Sequence, residues 1–125
     1  MATKKRDIPV FDHPIIETHC HLDYLEGEAL AGTIQAASDV NIQRIITIAV
    51  SPDNLDTVMN ITREQESVWG TQGIHPHDAD QYSDEVDARI RENALDEKIV
   101  AIGEIGLDYF YDHSDRAKQR IAFER

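Results

Sequence analysis

The sequence is short of cysteine, of positive charge and of long apolar runs. Its single cysteine, Cys20, cannot form a disulfide within the chain, so a reducing, cytoplasmic compartment is expected. Lysine and arginine number 12 against 24 aspartates and glutamates, and the net charge of -12 argues against a surface built to neutralise nucleic-acid phosphates. No window is apolar enough to cross a membrane, and no apolar segment follows the basic residues near the start. A soluble protein is therefore expected.

The apolar residues fall into four short runs, each followed by a segment with helical spacing. Strands are predicted at 15–18, 44–50, 68–74 and from Ile99 to Glu104, and helices at 27–41, from Ser51, from Ser83, and from Ser114 or Asp115 to Arg125. The second run is apolar enough for a strand buried on both faces, and the fourth for a buried strand. Alternating strands and helices with short connections indicate an α/β fold of parallel strands with right-handed crossovers.

Two histidines, His19 and His21, end the first predicted strand. Alternate side chains share one face of a strand, so the two imidazoles can point the same way while Cys20 points elsewhere. Such a pair offers two nitrogen ligands of the kind that zinc and other late first-row metals bind. The alternative is that each ring only tops the strand and is satisfied by local hydrogen bonds.

A carboxylate, Glu104, ends the fourth predicted strand between Gly103 and Gly106. After so apolar a strand it should be buried or nearly so, and a buried charge needs a cation partner. A salt bridge to a basic side chain is the alternative, but no lysine or arginine lies at the strand ends. We therefore expect His19, His21 and Glu104 to meet around a metal at the carboxyl end of the sheet, where barrel enzymes hold their active sites, with Glu104 as the catalytic candidate.

Further polar and aromatic side chains follow the same strand ends. His75 and His77 can bind substrate phosphate or move protons, and His75 lies nearer its strand. Asp23 and Asp108 can orient a ligating imidazole, or can cap a loop or a helix. The aromatic residues at 109–111 can stack on a nucleobase or simply pack together.

Three short motifs occur in order along the chain: HCHLD at 19–23, GIHPH at 73–77 and GEIGLDY at 103–109, with Gln119, Arg120 and Phe123 beyond. Together they resemble the TatD family of metal-dependent deoxyribonucleases, from about Pro14 to the last residue. The resemblance implies an amidohydrolase-like barrel, two divalent metal ions (zinc, magnesium or manganese) and hydrolysis of phosphodiester bonds in DNA. It also implies that His19 and His21 ligate one ion and that Glu104 bridges both.

Proteins of the TatD type continue into a second half of the barrel, which supplies two more histidines and a catalytic aspartate. No histidine or aspartate follows Asp115 here. Since a closed eight-stranded α/β barrel needs about 250 residues, residues 1–125 are expected to be the N-terminal half of a TIM-type (β/α)8 domain, about four βα units. The half alone is expected to be inactive, and its open barrel edges offer a route to self-association.

Two other functions fit the same residues. An amidohydrolase or phosphatase acting on a small molecule uses the same barrel and metal chemistry, and the acidic charge favours it mildly. A half-barrel that binds metal or a partner without turnover is the non-enzymatic alternative, supported by the missing downstream ligands. Purified protein with added divalent metal would show no nuclease activity in that case.

Overall fold

The computed structural model describes residues 6–125, which alternate between strands and helices. The strands are β1 (Ile15–Cys20), β2 (Ile42–Thr47), β3 (Val68–Gln72) and β4 (Ile99–Ile102). The α-helices are α1 (Gly27–Asp39), α2 (Leu55–Glu64), α3 (Asp84–Asn93) and α4 (Arg116–Glu124). Two 3-10 helices, Leu22–Tyr24 and Pro76–Gln81, lie in the connections after β1 and β3. Within the described range, no helix has both the length and the apolar character needed to cross a membrane.

The four strands form one parallel sheet in the order β1, β2, β3, β4. Glu17 pairs with Ile45, Thr47 with Gly70, and Thr71 with Ala101. Parallel strands in chain order, separated by helices, confirm the predicted α/β architecture of four βα units. Because all the strands run the same way, the segments that follow them meet at one edge of the sheet.

The buried core lies where α1, α2 and α3 pack on the sheet and its connections. Helix α2 contributes most: Leu55, Val58, Met59 and Thr62, which recur at helical spacing, are all buried. One buried cluster consists of Ala49, Leu55, Val58, Ile74, Val86 and Ile90, and a second of Leu22, Leu30, Ile45, Ile61 and Val68. Removal of this apolar surface from water is the main force that holds the helices to the sheet.

Strand β2 ends at Thr47, three residues before the end of its apolar run. The N–H of Ala49 donates to Thr71 Oγ1 at 3.1 Å, and the N–H of Val50 donates to Asn54 Oδ1 at 2.9 Å. These side-chain acceptors take the backbone donors out of the strand ladder, although the residues remain buried or partly buried. An apolar run in the sequence shows burial and does not show which atoms accept the hydrogen bonds.

The prediction that the fourth strand is buried is wrong. Val100 and Ile102 are 50% and 51% exposed. Strand β4 is an edge of the four-stranded sheet, so it pairs with β3 alone. Ile16 of β1, at the other edge, is 51% exposed in the same way. Leu95, which the helical spacing of the third helix directs inward, is 87% exposed because α3 ends at Asn93.

Candidate metal centre

The end of β1 places His19 and His21 close together, with their ring centroids 5.4 Å apart. Cys20, between them, turns the other way: its Sγ donates to the Ile46 carbonyl oxygen at 3.7 Å, and it packs against the buried cluster around Ile45. Burial, with the nearby Glu17 and Asp23 carboxylates, raises the pKa of the Cys20 thiol to about 11. The alternation predicted from the sequence therefore separates two imidazoles from an inert thiol.

Glu104 is positioned by the backbone that extends β4. The N–H of Gly103 donates to the Gln72 carbonyl at 2.9 Å, and the N–H of Glu104 passes beyond β3 to donate to the Ala49 carbonyl at 2.8 Å. This crossing is possible because Gly73 has no side chain: a Cβ there would lie 2.7 Å from the Gly103 carbonyl carbon. The segment after β4 thus rests directly on the segments after β2 and β3.

The crossing brings Glu104 to the histidines of β1. In a flat sheet, β1 and β4 would lie about 14 Å apart, three strand spacings. Here His19 Nε2 and Glu104 Oε2 are 3.4 Å apart, and ligand atoms of His19, His21 and Glu104 all lie within 4.8 Å of one another. Only a curved sheet whose side chains converge from its two edges produces this geometry.

The three residues fit a divalent metal. Two imidazoles and a carboxylate form a common donor set for zinc and for other divalent transition metals. Among the described residues, the ion-pair partners of Glu104 are His19 and His75, and no lysine or arginine neutralises it. His21 Nδ1 is buried without a hydrogen-bond partner in the part of the chain that the structure describes. The Glu104 side chain is 32% exposed, so the expectation that it is nearly buried is wrong, because the cleft around it is open.

His75 contacts Glu104 from the side opposite His19. Its Nδ1 accepts the N–H of His77 at 3.1 Å, and its Nε2 lies 3.3 Å from Glu104 Oε1. A neutral imidazole that accepts at Nδ1 carries its proton on Nε2. The protonated nitrogen of His75 therefore lies beside the Glu104 carboxylate.

The two predicted aspartates have different surroundings. Asp108 bonds His77 Nε2, not His19 or His21, and this bond is the main reason that the pKa of Asp108 lies below its usual range. Asp23 Oδ2 accepts from Asn54 Nδ2 at 3.2 Å, while its buried Oδ1 has no partner among residues 6–125. Asp108 thus orients one pocket histidine, and Asp23 connects the loops after β1 and β2.

These side chains surround an open cleft of about 400 Å³. It is lined by His19, His21, His75, His77, Glu104, Tyr24, Val50 and Asp78. No lysine or arginine is in this lining. Any anionic substrate in the cleft would therefore need metal ions to offset its charge.

A family model described as TatD related DNase matches residues 16–125. The chain belongs to the TatD family. A protein named 3'-5' ssDNA/RNA exonuclease TatD from Cronobacter sakazakii is 32% identical over 114 residues, which cover 91% of this chain and 42% of that protein. The uncharacterized metal-dependent hydrolase YabD of Bacillus subtilis is 32% identical over 110 residues, covering 87% of this chain and 43% of that protein.

Solved structures of TatD proteins share the fold. The Escherichia coli homologue YjjV superposes with a TM-score of 0.73 at 27% identity, covering 88% of this chain and 44% of that chain. A TatD family hydrolase from Entamoeba histolytica gives a TM-score of 0.74 at 22% identity, covering 90% and 44%. The chain therefore spans less than half the length of the TatD relatives it matches. The four βα units correspond to part of a TatD barrel, as the resemblance implied.

Two buried amides that hold this TatD site together are given no role by the sequence prediction. Gln119, 1% exposed, accepts from the Asp108 N–H at 2.8 Å and donates to the Asp108 carbonyl at 3.0 Å. Asn54, 7% exposed, accepts from the N–H groups of Val50 and Ser51. Buried amides have no periodic signature in a single sequence. The only signal for Gln119 is its place beyond the third motif.

Proposed function

We propose that the protein is a metal-dependent hydrolase that cleaves phosphodiester bonds of nucleic acid, with DNA as the substrate. The convergence of His19, His21 and Glu104 at the carboxyl end of the sheet carries the proposal. Relatives named as ssDNA/RNA exonucleases and a human relative named as a 3'-5' RNA nuclease support a nucleic-acid substrate. Membership of the TatD family supports the reaction class.

Two divalent ions, zinc, magnesium or manganese, are proposed as cofactors. When bound, such ions would lower the pKa of water and offset the charge of a phosphodiester. His19 and His21 would hold one ion, and Glu104 would bridge both. His75 Nε2 lies 3.3 Å from Glu104 Oε1 and would help to keep the carboxylate in the cleft. His77, held by Asp108, would present its other ring nitrogen to the substrate.

The wider organisation follows from the same residues. We propose that residues 1–125 form the N-terminal half of a TatD-type domain, supported by the share of each relative that the chain spans. The cytoplasm is the proposed compartment, because the single cysteine suits a reducing environment. Self-association through the exposed edges β1 and β4 is proposed for the 125-residue chain alone.

Replacement of Glu104 by glutamine tests the catalytic proposal. Glutamine keeps the shape of the side chain but removes the charge that holds the ions, so we expect Glu104→Gln to lower phosphodiester hydrolysis by at least about a hundredfold. The assay uses protein expressed from the whole reading frame, a single-stranded oligonucleotide and saturating Mn²⁺. Thermal unfolding should change little.

Glu97→Gln provides the matched control, because Glu97 is exposed near the opposite end of β4. It makes the same chemical change without touching the cleft. Turnover by Glu104→Gln at the rate of the Glu97→Gln control would refute the bridging role of Glu104.

A small-molecule phosphatase or amidohydrolase is the second candidate, favoured by the net charge of -12. Such an enzyme would hydrolyse a phosphomonoester or a cyclic amide faster than an oligonucleotide. Comparing kcat/KM for these substrate classes with the same protein and metal decides between the two functions.

A further inference from the structure

The segment between β4 and α4 is irregular yet anchored by buried polar groups. Gln119 bonds both the N–H and the carbonyl of Asp108. The Asp108 carboxylate accepts from the N–H groups of Phe110 at 3.0 Å and Tyr111 at 3.2 Å. Ser114, 5% exposed, donates through Oγ to the His77 carbonyl at 2.7 Å. The tip of this segment is therefore held in place without packing of its own side chains.

The tip exposes two aromatic rings to solvent. Phe110 is 86% exposed and Tyr111 is 63% exposed, and their ring centroids lie 4.8 Å apart in an edge-to-face arrangement. Within residues 6–125, neither ring packs into the core. Large exposed aromatic residues on a fixed loop are typical of binding surfaces.

The exposed rings are continuous with the metal cleft. Tyr111 stacks on His113 with an interplanar angle of 14°, and the His113 ring centroid is 4.5 Å from that of His77. His77 lines the cleft. A molecule bound at the metal centre can thus extend onto Tyr111 and Phe110 without leaving the surface.

One basic side chain that contacts this segment is already engaged. Arg116, at the start of α4, pairs with Asp112 at 3.0 Å and covers the Tyr109 ring at 4.6 Å. What the two exposed rings themselves offer a ligand is flat, apolar contact. A nucleobase offers such a face whatever its sequence.

We propose that Phe110 and Tyr111 form a stacking subsite for one unpaired nucleobase of the nucleic acid whose phosphate occupies the metal centre. This inference rests on the proposed function and deepens it. A base inside a duplex has both faces covered by neighbouring bases, so the subsite selects single strands or frayed ends. Binding of a protein partner would not require the two rings to adjoin the metal cleft, whereas binding of a nucleic acid at the metal centre would.

The test measures KM and kcat of the protein expressed from its whole reading frame, on a single-stranded oligonucleotide. We expect Tyr111→Ala to raise KM about 5- to 150-fold, the range that loss of one base–aromatic stack produces, with a smaller effect on kcat. Tyr111→Phe keeps the ring and should have the same KM as the parent protein. Leu95→Ala, at an apolar residue 87% exposed outside the cleft, is the control and should match the parent protein.

Abasic substitution of the oligonucleotide locates the base. For the parent protein, one abasic position should raise KM by the same factor as Tyr111→Ala does. In the Tyr111→Ala variant, the same abasic position should raise KM no further, because the two changes remove one contact. The factor should be equal at low and high salt, since stacking is not screened. Equal KM for Tyr111→Ala and the parent, or an effect of Tyr111→Ala on oligomeric state alone, overturns the subsite while leaving the proposed function standing.

If no phosphodiester is hydrolysed, the proposed function fails and the subsite is still decided by binding. In the presence of Mn²⁺, the parent protein should then quench the fluorescence of a single-stranded oligonucleotide that contains 2-aminopurine. The Tyr111→Ala variant should not. Absence of quenching with both proteins overturns the subsite as well.

Discussion

Glu104 is held from two sides by histidines with different roles. Its Oε2 faces His19 Nε2 at 3.4 Å, and its Oε1 faces His75 Nε2 at 3.3 Å. Because His75 Nδ1 already accepts the His77 N–H, the His75 Nε2 carries a proton and faces the carboxylate. His19 and His21 thus remain as candidate metal ligands, whereas His75 acts on Glu104. The order of histidines along the chain does not reveal this division, which depends on the tautomer that a backbone N–H selects.

Replacement of His19 should weaken the binding of one metal ion more than the binding of the other. Glu104 would still touch both ions in His19→Ala, but the ion held by the β1 histidines would lose one nitrogen ligand. We expect its affinity to fall about 10- to 100-fold or more, at least the loss that removal of an outer-shell partner causes. Calorimetric titration with Mn²⁺ should then show one weakened and one retained binding step.

His13→Ala is the matched control, because His13 is exposed and lies before β1, outside the cleft. It should leave both binding steps unchanged. Equal weakening of both ions by His19→Ala would contradict the assignment of His19 to one ion.

The thiol of Cys20 should be inert although two candidate ligands flank it. With a pKa of about 11, only about one thiol in a thousand is a thiolate at pH 8, against roughly a quarter for an unperturbed cysteine. We expect iodoacetamide to react at least about a hundredfold more slowly with the folded protein than with the protein in urea. The rate should rise as the pH approaches 11. Protection of Cys20 by added zinc would instead mean that the thiol is a ligand.

At the scale of elements, the site depends on how the segments after the strands cross one another. Glu104 reaches the cleft because its N–H bonds the Ala49 carbonyl, beyond the end of β3. Gly73 permits this crossing, since a Cβ there would meet three backbone atoms of Gly103 at 2.7 to 3.0 Å. Backbone atoms cannot move aside as a flexible side chain can. A methyl group at position 73 must therefore displace the segment that carries Glu104.

Gly73→Ala should lower both stability and activity. Overpacking of this kind costs about 1 to 3 kcal/mol, and displacement of Glu104 should reduce turnover by more than the fraction of protein that unfolds. Thermal unfolding and kcat, measured on the same preparation, separate the two effects. Gly32→Ala is the control: it lies in α1 with open space around it, and alanine should stabilise the helix by about 0.5 to 1 kcal/mol. Full activity in a stable Gly73→Ala protein would show that the close approach does not position Glu104.

The sequence predicted the elements better than the contacts between them. Helix α2 and the parallel order of the strands follow from apolar spacing, which is local. The convergence of His19, His21 and Glu104 was predictable because each lies at a strand end. The Gln119 bonds to Asp108 and the crossing of Glu104 to Ala49 were not predictable. They join segments 11 and 55 residues apart, and the atoms bonded on Asp108, Glu104 and Ala49 are backbone atoms that every residue type carries. Burial of β4 was overestimated because apolar composition does not show which strand is an edge.

At the scale of the whole molecule, the chain exposes more surface than its mass requires. Its accessible surface is 8482 Å², against about 6,800 Å² for a compact monomer of this mass. Part of the excess belongs to the exposed segment before β1. The rest includes the edge strands, where Ile16, Val100 and Ile102 are each about half exposed. A stable interface needs only about 800 Å² from each partner.

We therefore expect the 125-residue chain alone to associate, to bind metal weakly and to lack catalysis. Unpaired backbone groups along β1 and β4 can pair with the same strands of another copy, while the charge of -12 on each copy opposes contact. Salt screens this repulsion but not the apolar attraction, since the Debye length falls from about 30 Å at 0.01 M to about 3 Å at 1 M. Sedimentation velocity should therefore show dimers or larger particles, in greater proportion at 0.5 M than at 0.02 M salt. Val100→Lys places a charge on the β4 edge and should restore the monomer, whereas Val10→Lys, at a valine 67% exposed outside the sheet, should not. A monomer with a sharp cooperative melt and tight binding of two ions would contradict this expectation. It would mean that the exposed edges are stable in water and that these four βα units fold and bind metal without a second half of the barrel.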